Sequence, residues 1–150
     1  LKWAFPLSLG GSAALKGFVW EDYGTPRRLY FSTGSGSTAA VRCFQDPGVG
    51  GSPLPSSACS GGWPNVSTGV GVVGATTVLL LDPLYVGSYD GVALNNGRIV
   101  PINPATGAVG TAYPVGNGLK PVGDMSTVTG SEIFISTDEG KTFKISLPLP

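Results

Sequence analysis

The pattern that most restricts this chain is a short aromatic-centred strand that recurs three times. It reads LYFST from Leu29, LYVGS from Leu84 and IFIST from Ile133, at spacings of 55 and 49 residues. Each copy runs into a glycine-containing turn: GSGS (34–37), YDG (89–91) and DEG (138–140). Each turn leads to another strand-like run, AAVRCFQ, GRIVPIN or KTFKISL. Upstream of the three lie LKGFVWE, VGVVGA and LKPVGDM. After the second unit, NPATGAVGTAYPV supplies a turn at 105–107 and one more strand. In KTFKISL, Phe143, Ile145 and Leu147 share one face, and Lys144 and Ser146 the other. That period of two gives one buried face and one wetter one. In IFIST, Phe134 points away from Ile133 and Ile135, so burial on both faces is expected.

Helices have no room between these strands. Glycine (24) and proline (13) make up about a quarter of the 150 residues and interrupt every candidate helical window. Yet 41% of the residues are hydrophobic, more than a disordered chain would carry. An all-β fold of many short strands satisfies both facts. A period near 50 residues with three to four strands per unit is that of a β-propeller blade. The chain is therefore expected to hold about three four-stranded blades in one propeller-like domain. The units are residues 13–65, 66–117 and 118–150, with 1–12 as the strand of a preceding blade. A β-sandwich is the alternative, but it leaves the repeated strand unexplained. Propellers close with about four to eight blades, so three imply part of a longer ring or a ring assembled from several chains. Uncovered edges invite pairing, and self-association or a protein partner is expected. Leu1 in place of an initiator methionine points to a processed chain or a fragment.

Nine basic residues balance nine acidic ones, and only 12% of the chain is charged, which leaves no basic footprint for nucleic acid. No apolar run reaches membrane-spanning length; VLLL is broken at Asp82-Pro83. Cys43 and Cys59 match no zinc spacing, and there is no histidine to complete one. An extracellular, periplasmic or cell-surface protein would join them as a disulfide closing a loop of about 17 residues, worth roughly 3 kcal/mol. Two unpaired buried thiols are the alternative. Asn65-Val66-Ser67 is an N-glycosylation sequon. The long Gly/Ser/Pro-rich stretch 46–65 carries Trp63, a candidate partner contact, although a decorated connection between blades also fits.

Two stretches resemble known families. LYVGSYDG (84–91) followed by INPATGAV (102–109) is similar to the repeat of quinoprotein-type (PQQ-like) propellers, with VALNNGR as an insertion. STDEGKTF resembles the Asp-box of sialidases and other propellers at Ser136, Asp138, Gly140, Thr142 and Phe143. The resemblance implies a structural turn away from any active site. An aspartate there can accept backbone N–H groups, Gly140 can take positive φ and Phe143 packs inward. Asp90 and Gly91 are read in the same way.

Chemistry is sparse by comparison. Without histidine, Ser-His and Cys-His catalysis are excluded. The carboxylates Glu21, Asp22, Asp82, Asp90, Asp124 and Glu132 form no recognised constellation. The sialidase likeness implies an arginine cluster and a tyrosine nucleophile, whereas Arg27, Arg28, Arg42 and Arg98 read as turn and edge residues. The quinoprotein likeness implies an adjacent-cysteine disulfide beside the cofactor, and Cys43 and Cys59 are not adjacent. Trp3, Trp20 and Trp63 read mainly as packing. No cofactor is expected; calcium could sit at the Asp-Gly turns, although no EF-hand-like loop is there to hold it. The expectation is a non-enzymatic extracellular module for binding, adhesion or assembly. The alternatives are a piece of a larger secreted propeller enzyme, quinoprotein- or glycosidase-like, and a subunit of a surface filament or layer.

Overall fold

A computed structural model of the chain describes residues 15–22, 27–33, 40–45, 59, 61, 63, 65–67, 78–79, 82–89 and 97–149. The expected strand at 1–12, the GSGS turn, the VGVVGA strand, Asp90-Gly91 and Trp3 lie outside these residues. Among the described residues the fold is all-β, without a helix, in three small antiparallel sheets not closed into a barrel.

The first sheet runs in chain order through β1 (Leu15–Asp22), β2 (Arg28–Thr33), β3 (Ala40–Gln45) and β4 (Asn65–Ser67). The second runs through β5 (Val78–Leu79), β6 (Leu84–Ser88), β7 (Arg98–Ile102) and β8 (Tyr113–Pro114). The third holds β9 (Pro121–Ser126), β10 (Glu132–Thr137) and β11 (Thr142–Ser146), with β10 in the middle. Each aromatic-centred run is thus the second strand of its sheet, paired on both sides by its chain neighbours.

Register explains how the sheets stack. Leu84 pairs with Ile102 and Val86 with Val100, which puts all four side chains on one face of the second sheet. They pack against Tyr30, Val41 and Cys43 of the first sheet. Tyr85 and Ile99 emerge on the opposite face and pack with Met125, Ile133, Ile135 and Ile145 of the third sheet. Both faces of the second sheet are therefore covered, and every residue of β6 is buried. Each of the Leu, Ile, Val and Met side chains among them contributes about 1.5–3 kcal/mol by leaving water. The first strands also neighbour one another, with β5 touching both β1 and β9.

The third sheet differs from the expectation of two buried faces. Ile133, Ile135 and Thr137 are buried, but Phe134 is only half-buried, with Lys144 set over its ring at 5.9 Å. The outer face of this sheet is partly wet because, among the described residues, no further sheet packs against it.

Ile99 is fully buried between sheets, whereas Val128 is 81% exposed. Ile99→Ala is expected to lower the unfolding free energy by about 2–5 kcal/mol. Val128→Ala should change it by less than about 0.5 kcal/mol. Urea titrations of the two variants measure both values.

Candidate functional site

The β10–β11 hairpin carries five of the residues singled out in the sequence. Its loop is Asp138-Glu139-Gly140, three residues closed by Thr137 N donating to Lys141 O (2.8 Å) and Gly140 N donating to Thr137 O (2.9 Å). Gly140 sits at φ 73°, the left-handed conformation that a three-residue hairpin loop places in that position. The Ser136 and Thr142 hydroxyls meet across the strands at 3.1 Å. Phe143 is half-buried and packs on the core shared by the second and third sheets. Asp138 is exposed, and its backbone N–H donates to Lys120 O at 3.1 Å, which ties the turn to the segment before β9. Among the described residues no hydrogen bond reaches its carboxylate.

Capping by a side chain does occur, at a different turn. Asn103 Oδ1 accepts from Ala105 N (2.9 Å) and Thr106 N (3.0 Å), and Gly107, at φ 73°, completes the turn. The Asn-Pro pair that starts this turn was a readable signal for it.

Glu132 forms a second polar centre at the start of β10. Its Oε1 accepts from Val128 N and Thr129 N, both at 3.0 Å. Its Oε2 accepts from the Thr129 hydroxyl (2.6 Å) and the Ser131 hydroxyl (2.9 Å). The Thr129 hydroxyl, the two N–H groups and the Ser131 hydroxyl outweigh desolvation and hold this carboxyl down at about 2. A carboxylate so stabilised is a poor proton carrier near neutrality, and its work is to shape the 127–131 loop. No sequence pattern marks it, because its partners are backbone groups of an irregular loop.

Cys43 and Cys59 form a disulfide, with Cα atoms 6.0 Å apart and both residues buried. It holds Cys59 against β3, and Trp63 packs in the same core. There Trp63 is only 6% exposed, so its indole is part of the core and not an exposed anchor for a partner. Its ring lies 5.7 Å from that of Tyr30, tilted by 54°. Three donors converge on the Pro104 carbonyl: Trp63 Nε1 (3.2 Å), Tyr30 Oη (3.3 Å) and Arg28 Nη1 (3.3 Å). Gly61, at φ 72°, faces the Thr106 carbonyl so closely that a Cβ would collide with it.

An open groove of about 600 Å³ lies beside the hairpin, lined by Gly116, Asn117, Leu119, Glu139, Lys141 and Phe143. Leu119 and Phe143 supply apolar surface, and the Lys141–Glu139 ion pair (2.8 Å) lies on the solvent side. Among the described residues no group of three or more metal-ligating side chains comes together. Asp82 is exposed, while Glu21 and Asp22 lie in β1 and Asp124 in β9. Comparison of the chain with protein-family models, curated proteins and solved structures found no match.

Two outcomes follow from this geometry. Gly140→Ala is expected to destabilise the protein by about 1–2 kcal/mol through its positive φ. Asp138→Ala should cost less than about 0.5 kcal/mol, and chemical denaturation checks both. Glu132 sets a pH dependence, because its folded value of about 2 lies below the ordinary 4.5. Its contribution is complete above the ordinary value and is lost as pH falls through about 2. Glu132→Gln should therefore lower Tm at pH 7, and the difference from the parent protein should shrink steadily as pH falls from about 5 to 2.

Proposed function

We propose that this chain is a β-propeller-like segment serving as a non-enzymatic binding or assembly module outside the reducing cytosol. The observation that carries the reading is the order of the three sheets. Each is a meander in chain order, each places the same kind of strand second, and the first strands of successive sheets lie side by side. Blades set around an axis have that relation. The quinoprotein-like repeat and the Asp-box-like hairpin agree with it. The disulfide is compatible with an oxidising compartment. The polar centres support a contact role, since Glu132 and the Pro104 carbonyl are committed to holding loops.

Three blades leave a ring of about four to eight incomplete, and we take the missing blades to come from further copies or a partner chain. Sedimentation equilibrium tests this. The expected particle is a multiple of the 15.2-kDa chain, with two copies giving the smallest six-bladed ring. A monodisperse 15.2-kDa monomer that melts cooperatively would contradict the proposal.

A further inference from the structure

The outer edge of the third sheet is built to accept a strand. Lys141 O accepts from Thr137 N and Leu147 N donates to Ser131 O, both at 2.8 Å. Between these bonds the register pairs Phe143 with Ile135 and Ile145 with Ile133. Antiparallel pairing alternates, so the odd-numbered residues of β11 bond to β10. Thr142, Lys144 and Ser146 therefore direct their N–H and C=O groups to the open side, and all three residues are exposed. No strand covers this edge among the described residues. The other two sheets end in strands of three and two residues, whereas β11 offers five.

Charge decides what fits. The Lys144 ammonium lies over the Phe134 ring at 5.9 Å and has no carboxylate partner among the described residues. A docked residue directly opposite Lys144 would stand within side-chain contact, where opposite charge stabilises and like charge does not. A second copy of β11 is a poor occupant. In the centred two-fold register it sets Lys144 against Lys144, and in the adjacent registers against Thr142 or Ser146, never against a carboxylate. We infer that this edge docks an extended segment of a partner protein, with an acidic residue opposite Lys144 and apolar residues flanking it. The apolar residues extend the face that carries Phe143 and Ile145. This inference rests on the reading of the chain as a binding module and names the surface that binds.

The test uses two labelled peptides, Ser-Val-Thr-Val-Glu-Val-Thr-Val-Ser and the same peptide with lysine at its centre, titrated against the whole chain by fluorescence anisotropy. The glutamate peptide is expected to bind about tenfold tighter than the lysine peptide. Lys144→Glu should reverse that order. Ser146→Pro removes an outward N–H without touching the β10 ladder, and should weaken both peptides while leaving the circular dichroism spectrum unchanged. Equal affinity for the two peptides, or binding of neither, overturns the inference. So does a dimer cross-linked from β11 to β11 that the glutamate peptide fails to displace. Assembly into multimers without peptide binding would sink this inference alone, and peptide binding by a stable monomer would sink the assembly proposal alone.

Discussion

The structure depends on one sheet that is apolar on both faces. In β6 and β7, odd and even positions alike are occupied by Leu84, Tyr85, Val86, Ile99, Val100 and Ile102, all buried. Such a sheet cannot stand at a surface, because either face alone would expose a contiguous apolar patch. It must be packed between two others. The first sheet meets the requirement with Tyr30, Val41 and Cys43, and the third with Ile133, Ile135 and Ile145. The order of the sheets in space then follows their order in the chain.

Polar contacts align what the apolar faces bring together. The first and second sheets are joined at the Pro104 carbonyl, where donors from β2 and from Trp63 meet a turn shaped by Asn103. The disulfide holds the Trp63 segment in reach of that turn. The third sheet has a separate device, with Lys120 O accepting from Asp138 N while Glu132 fixes the loop between β9 and β10. These two sets of bonds tie down both ends of β10, the middle strand of the third sheet.

The repeated strands were legible because their physics is local. LYFST, LYVGS and IFIST each combine β-forming residues with a glycine turn, and each is a strand at the position read from it. KTFKISL shows its alternation directly, with Phe143 and Ile145 turned inward. Other features depend on neighbours distant in the chain. The strand preceding LYVGS is described at Val78–Leu79, downstream of the VGVVGA run read for it, because it is the pairing with Tyr85 and Val86 across the turn that defines it. Trp63 reads in isolation as an aromatic on a loop, and only the Pro104 carbonyl and the Tyr30 ring show why it is buried. The same applies to Asp138 and Asn103. Both are turn residues of suitable type, but backbone geometry gives the capping bonds to Asn103 alone. Glu132 was visible only as one carboxylate among several.

Amide hydrogen exchange, resolved residue by residue, tests the role of the central sheet most directly. If the two-faced sheet holds the molecule together, the amides of β6 and β7 exchange only through global unfolding and are the slowest in the chain. The first and third sheets then open at equal or lower free energy. Amides in either outer sheet that outlast those of β6 and β7 would contradict the account, since an outer sheet would then survive without the one on which it is argued to depend.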